Sequence, residues 1–209
     1  MKPLLTPLFS AACERNAAPI LQVLAPLLKD CATVLEIGSG TGQHAVYFGA
    51  RLPHLTWQCS DLPHNHASIL AWQRDAGLAN VLPPLTLALG QGDEQDDGQD
   101  GWPHAAFDAL FTANTCHIMA ESAVEALFAG APAMLRAGGL LCIYGPFNYG
   151  GQFTSAGNAQ FDAALRSQAS HMGLRDSETM IALAIQAGLL LQADITMPSN
   201  NRMLVFRRP

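Results

Sequence analysis

The chain has 209 residues, 49 % of them apolar and 13 % charged, against about 25 % charged in an average domain. That is enough chain to bury about 70 % of its unfolded surface, which excludes a disordered chain and a small fold that needs disulfides or metals as staples. Eleven Lys and Arg against seventeen Asp and Glu give a net charge of −6 with no basic tract, so no nucleic-acid partner is expected, because such binding draws on neutralised phosphates.

At the N-terminus, Lys2, an apolar stretch and Ser10-Ala11-Ala12-Cys13 look like a lipoprotein processing site, but Pro3 and Pro7 break any helical signal core, so export is not expected. Residues 17–29 carry Ile20, Leu21, Leu24, Leu27 and Leu28 at helical spacing, with Pro19 suited to a first turn. A buried strand follows over residues 33–37 and runs into Gly38-Ser39-Gly40-Thr41-Gly42. Residues 44–51 read as a helix, 55–60 as a strand ending at Asp61, and 66–77 as a helix stopped by Gly77. Further strands are expected over 85–89, 107–113 and 140–144, with a helix over 122–136 closed by Gly138-Gly139. Helices over 158–167 and 178–187 precede a terminal strand pair, 189–197 and 203–207.

Strand–helix alternation predicts a parallel sheet with helices on both faces. The last two strands share only Pro198-Ser199-Asn200-Asn201-Arg202, too short for a parallel crossover, so this pair must be antiparallel. Residues 90–101, made of Gly, Gln and acids, read as a solvated loop rather than a calcium site, because the spacing does not fit an EF-hand. Five cysteines, at 13, 31, 59, 116 and 142, form no CxxC pair and read as reduced thiols, which predicts a cytoplasmic protein. No apolar run reaches the roughly 18 residues of a membrane span, so no membrane partner is expected.

The glycine loop is the most informative segment. Glycines let a backbone turn sharply and approach a ligand, and the helix that follows offers its N-terminus. A nicotinamide-dinucleotide loop, G-x-G-x-x-G, would need glycine at position 43, where Gln43 stands. Glu36 lies just before the loop; a carboxylate repels a pyrophosphate and attracts a cation. S-adenosylmethionine, a sulfonium and ammonium without phosphate, fits both facts. Asp61, 23 residues after Gly38, stands where a carboxylate can accept hydrogen bonds from ribose hydroxyls.

With these features the chain resembles class I S-adenosylmethionine-dependent methyltransferases. Glu14-Arg15-Asn16, Gly40-Thr41-Gly42-Gln43-His44, Trp57, Ser60-Asp61 and Gly145-Pro146-Phe147 are similar to one methyltransferase-like family of unknown substrate, as are Asn158, Phe161-Asp162, Gly173-Leu174-Arg175-Asp176 and Met197-Pro198-Ser199-Asn200-Asn201. The likeness runs from about residue 12 to the end. It implies a Rossmann-like α/β fold: a seven-stranded, mostly parallel sheet with its last strand antiparallel. It also implies a cofactor site at Glu36, Gly38, Ser39, Gly40, Gly42, Asp61, Leu62 and Asn114. The whole chain is expected to form one unit, with a helical cap over 1–30, a cofactor-binding core over 31–146 and an acceptor side over 147–209. Three features depart from the family: Leu87-Ala88-Leu89 lacks an acid near the adenine, Met172 replaces an aromatic, and 90–101 looks like an insertion.

Methyl transfer is an in-line displacement that positioning alone can accelerate by about 7–11 kcal/mol, and a base is needed only if the acceptor must lose a proton. His117 and Tyr144 are candidate catalytic groups; His117 serves equally well as a hydrogen-bonding partner. Cys116 has no assigned neighbour to activate it as a nucleophile. Candidate acceptor-binding residues are Arg15, Asn16, Phe147, Asn158, Asp162, Arg175, Asn200 and Asn201. Arg15 or Arg175 could clamp a carboxylate, while Arg175 and Asp176 could equally form an ion pair and Asn200-Asn201 a turn. His64 and His66 read as loop residues rather than metal ligands, and no metal is expected. The segment after the fourth strand lacks the Asn-Pro-Pro-aromatic sequence of nucleobase and glutamine methyltransferases.

The expected function is therefore S-adenosylmethionine-dependent methyl transfer to a small molecule, with the acceptor and the oligomeric state left open. Two alternatives stand beside it: a non-catalytic cofactor-binding or scaffold module, since fold does not fix activity, and an NAD(P)-dependent oxidoreductase.

Overall fold

A computed structural model of the chain describes residues 6–90 and 101–209. In chain order the elements are α1 (Ala11–Leu27), β1 (Thr33–Ile37), α2 (Gln43–Arg51), β2 (Thr56–Asp61), α3 (Pro63–Ala76), β3 (Val81–Thr86), β4 (Phe107–Ala113), α4 (Glu121–Met134), β5 (Leu135–Asn148), α5 (Ala156–Gln168), β6 (Arg175–Asp176), α6 (Ser177–Gln186), β7 (Leu190–Met197) and β8 (Asn201–Arg207). Seven strands lie in the order β3-β2-β1-β4-β5-β8-β7, and short β6 pairs with the end of β5. The strands from β3 to β5 are parallel, while β8 runs antiparallel to both neighbours, Tyr144 opposite Met203 on one side and Ile195 opposite Met203 on the other. Only Pro198–Asn200 separates β7 from β8, so the chain has no room for any other return.

Side-chain alternation along the strands splits the core in two. Leu35, Leu110, Leu141 and Ile143 pack with Leu127 and Phe128 of α4 and Met180 of α6. Val34, Trp57, Phe111, Cys142 and Val205 face the other way, against Ile20 and Leu24 of α1, Phe48 of α2 and Ile69 of α3. The rings of Phe48, Trp57 and Phe111 lie 5.4–5.8 Å apart, centroid to centroid. Because both faces are covered, β1 and β4 are mainly apolar, with Val34, Leu35 and Ile37 in one and Phe107, Ala109, Leu110 and Phe111 in the other.

Several boundaries differ from the sequence reading. Helix α1 begins at Ala11 rather than at residue 17, because Ser10 Oγ accepts from Cys13 N as an N-cap, and Pro19 falls inside the helix instead of in its first turn. Strand β3 covers Val81–Thr86, not 85–89; its Pro83 and Pro84 are tolerated because β3 is an edge strand. Helix α4 stops at Met134, and β5 takes up residues 135–139, which had read as helix and stop. The predicted residues 91–100 of the acidic loop lie outside the described residues, and so do the insertion and calcium readings that concern them. Among the described residues, no helix is long and apolar enough to cross a membrane.

Strand order reverses at β1, flanked by β2 and β4. Ligands of open α/β sheets bind outside the carboxyl ends of the strands at such a point. Here it is edged by the loop after β1, Asp61 ending β2, and Asn114 following β4.

Candidate functional site

The loop after β1 is held by its neighbours. Gly38 N and Ser39 N both donate to Ser60 O at 3.0 Å, and Gly42 N donates to Ser39 O at 2.9 Å. Gly40 N donates to Asp61 Oδ2 at 2.6 Å. Asp61 Oδ1 accepts from Leu62 N at 2.7 Å and from Asn65 Nδ2 at 2.8 Å. Gly38 has φ +71, and a Cβ there would stand 2.8 Å from Thr115 Cγ2. Gly42, at φ +93, would meet the Ile69 backbone at 2.8 Å. The first glycine keeps the loop close to the end of β4, and the last lets α2 start against α3.

Above these ends opens a cavity of about 510 Å³, walled by Gly38, Ser39, Gly40, Asp61, Leu62 and Asn114. Asn114 holds a positive φ of 58° there, its N–H donating to Tyr144 O. The wall continues through Ser10, Ala12 and Cys13 of the N-terminal segment, His44 and His64, Leu87, Ala88 and Leu89, and Thr115, Ile118, Met119 and His171. Two residues of the expected cofactor set stand apart from this wall. Gly42 packs on α3. Glu36 is 2 % exposed, with Trp57 Nε1 donating to its Oε2 at 3.0 Å. Burial pushes the Glu36 carboxyl up to about 7, against the opposing pull of the Trp57 hydrogen bond.

The candidate catalytic groups also lie outside the wall. His117 is 6 % exposed, 5.1 Å from the Phe161 ring, and burial pushes its imidazole down to about 4, with the Arg175 charge adding to the shift. Tyr144 is buried on the α1 face of β5, where burial raises its phenol above the usual range and Asn16 hydrogen-bonds it. Asn16 Oδ1 also lies 2.7 Å from Nε2 of His44. Thus Asn16 links Tyr144 to His44, a cavity-wall residue that the sequence reading quoted in its motif without assigning a role. Burial pushes His44 down to about 4, so the ring is neutral at pH 7. Cys116 is buried and its thiol pushed up to about 12, which leaves no thiolate for nucleophilic attack.

The expected acceptor-side residues do not converge on this cavity. Arg15 is exposed on α1. Phe147 is 1 % exposed and packs in the apolar core rather than in the cavity wall. Asn158 Nδ2 donates to Thr154 Oγ1 at 2.9 Å. Asp162 accepts from Leu174 N at 2.8 Å and Arg166 Nε at 2.7 Å. Asn200 and Asn201 edge a separate hollow of about 280 Å³ with Thr154 and Arg202, and Asn201 Nδ2 turns back to Pro198 O. Arg175 pairs not with Asp176 but with Glu121, at 3.7 Å, and spends its other donors on backbone carbonyls. His66 Nε2 lies 3.0 Å from Asp61 O.

The family described as "Protein of unknown function (DUF938)" matches residues 8–208. The chain belongs to that family. Solved structures share the fold at low identity. One is an O-methyltransferase family protein from Burkholderia thailandensis (TM-score 0.76, 18 % identity, 94 % of this chain and 57 % of that one). A second is the S-adenosylmethionine-dependent methyltransferase SibL in its apo form (0.75, 19 %, 95 % and 56 %). A third is PigF with SAH (0.75, 14 %, 93 % and 56 %). The chain therefore has the class I methyltransferase fold, and it spans little more than half the length of these proteins.

The residues of the cavity fit S-adenosylmethionine better than a dinucleotide. A pyrophosphate needs free N–H groups at the glycine loop. Here those of Gly38, Ser39, Gly40 and Gly42 all have acceptors inside the chain, and a carboxyl group closes the loop.

Proposed function

We propose that this family member binds S-adenosylmethionine in the cavity at the ends of β1, β2 and β4 and transfers its methyl group to a small, uncharged molecule. The observation that carries this reading is the bond from Gly40 N to Asp61 Oδ2. It uses the loop N–H that a phosphate would need and leaves a carboxyl group in the wall.

The bound cofactor supplies an electrophilic methyl group on a sulfonium. The chain's part is to hold it. Asp61, beside Leu62 and Asn65, offers acceptors to hydroxyls, and Leu87 and Leu89 offer an apolar surface to a flat base. Burial keeps His44 neutral, against the opposing pull of its hydrogen bond to the Cys13 backbone, so it adds no cation next to a sulfonium, where it would repel. Among the described residues, no Lys or Arg stands in the cavity wall. Arg15 lies outside it and Arg175 is engaged by carbonyls, so an anionic acceptor would find no side-chain cation and only the sulfonium to offset its desolvation cost. An uncharged acceptor avoids that cost, and half-exposed Ile118 in the wall favours an apolar body. Rate enhancement by positioning needs no base, which accords with His117 and Tyr144 lying behind the wall.

Thermal unfolding with S-adenosylhomocysteine, S-adenosylmethionine or NAD tests the reading. A ligand at 100 times its Kd stabilises by about 2.7 kcal/mol, a shift of roughly 5–10 °C for a chain of this size. The expected result is a shift with S-adenosylhomocysteine and none with NAD. A shift with NAD alone overturns it.

A further inference from the structure

We propose that Arg175 is a positioning residue that sets the affinity of the cofactor cavity by clamping two segments of its wall, and that it touches neither cofactor nor acceptor. The inference rests on the reading of the cavity as an S-adenosylmethionine site.

Between β4 and α4 the chain crosses the cavity without regular structure, so its carbonyls need partners from elsewhere. Thr115 O accepts from Ile118 N and Met119 N, and Ala120 O accepts from Ala123 N and Val124 N. Three more carbonyls are met by the segment around β6. Gly173 N donates to His117 O at 2.9 Å. Arg175 Nε donates to Cys116 O at 3.1 Å, and Arg175 Nη2 donates to Met119 O. The same Nη2 donates to His171 O at 2.9 Å. The side chains of Ile118, Met119 and His171 form wall on both sides of this clamp.

The guanidinium is well placed for this work. Its side chain is 10 % exposed, and its one ionic partner among the described residues, Glu121, is 85 % exposed at 3.7 Å, so carbonyls rather than a carboxylate hold it. A planar fork with five donors can serve three carbonyls at once, whereas an ammonium on a flexible stem cannot keep that geometry. Two strand partners fix the base of the clamp, Phe147 beside Arg175 and Asn148 beside Asp176. Arg175 therefore converts the position of β6 into the position of the cavity wall.

Calorimetry with S-adenosylhomocysteine on Arg175→Met and Arg175→Lys tests this, at a temperature where each variant is folded. Asp108→Asn is the control for lost stability. Asp108 Oδ2 accepts from Ala32 N, Thr33 N and Thr33 Oγ1 at the opposite end of the sheet. The expected result is a Kd raised at least tenfold in Arg175→Met and several-fold in Arg175→Lys, with Asp108→Asn binding as the parent does despite a lower Tm. Millimolar guanidinium ion should restore part of the affinity to Arg175→Ala. Parent-like affinity in Arg175→Lys and Arg175→Met overturns the proposal, and so does a loss in Asp108→Asn that matches theirs at equal Tm. Failure of the parent protein to bind S-adenosylhomocysteine instead overturns the reading of the cavity itself.

Discussion

The backbone N–H of Gly40 meets Asp61 Oδ2 at 2.6 Å, and this bond joins the loop after β1 to the end of β2. Its partner oxygen, Oδ1, is held by Leu62 N and Asn65 Nδ2. One side chain thereby shapes the loop and faces the cavity. Asp61→Ala removes both contributions, and hydrogen bonds to a charged group are worth about 1.5–3 kcal/mol. Binding of S-adenosylhomocysteine should weaken by roughly ten- to a hundredfold, measured by calorimetry. An unchanged Kd would mean that Asp61 serves the loop alone.

Glu36 should make the protein less stable as pH rises toward neutrality. Its carboxyl titrates at about 7 when folded against 4.5 ordinarily, because burial disfavours the charge. Between those values the native state binds the extra proton, so this contribution to stability falls as pH rises from 4.5 to 7 and is level above. Glu36→Gln keeps an acceptor for Trp57 Nε1 and has no charge to bury. It should be the more stable form at pH 8, by up to about 3 kcal/mol at 1.36 kcal/mol per unit, and equal to the parent near pH 4. Urea midpoints at the two pH values check this. Equal midpoints at pH 8 would show that Glu36 is ionised at no cost.

Gly130 looks like a site where alanine should help, since glycine within a helix costs about 1 kcal/mol. The opposite is expected. A Cβ at Gly130 would lie 2.2 Å from Trp102 Nε1 and 2.5 Å from Cε2, and the indole is packed against the α4 core. Gly130→Ala should destabilise by about 1–3 kcal/mol, the cost of overpacking. A urea midpoint above that of the parent would mean that Trp102 moves aside freely.

What could be read in advance follows from how local the information is. Strand β4 is mainly apolar, broken by Asp108 and Thr112, and its limits at Phe107 and Ala113 follow from the sequence alone. Gly77 ends α3 in the left-handed region as its position suggested. The glycine loop and Asp61 were legible because their spacing fixes them at adjacent strand ends. Strand β3 was misplaced because Pro83-Pro84 reads as a break, and only the sheet order makes it an edge. Glu36 pointed to a ligand by its position before the loop, but Trp57 on the neighbouring strand claims it, and that pairing depends on sheet register. Arg175 and Phe147 look like site residues in the sequence. Their roles, a carbonyl clamp and a core ring, depend on segments more than 50 residues away in the case of Cys116 and Met119. His44 had a signal in its motif, and its link to Asn16 spans two helices.

The acid limb of stability should be set by two histidines. His44 and His117 both titrate at about 4 in the folded protein, chiefly because burial penalises the imidazolium. The unfolded chain takes up these protons near pH 6.5, so stability is fully present above that value and falls as pH drops toward 4. Glu36 acts in the opposite direction over the same window, so the histidines prevail by about one proton, or roughly 1.4 kcal/mol per pH unit. Asp108 and Asp162 are held below the usual carboxylate range, and their losses fall at lower pH still. His117→Asn removes one of the two buried imidazoles without touching the cavity wall. Its stability should therefore change much less between pH 6.5 and 4.5 than that of the parent, even if it is lower throughout. Urea titrations at those two pH values decide the matter: parallel losses in parent and variant would mean that His117 takes up its proton without unfolding the segment between β4 and α4.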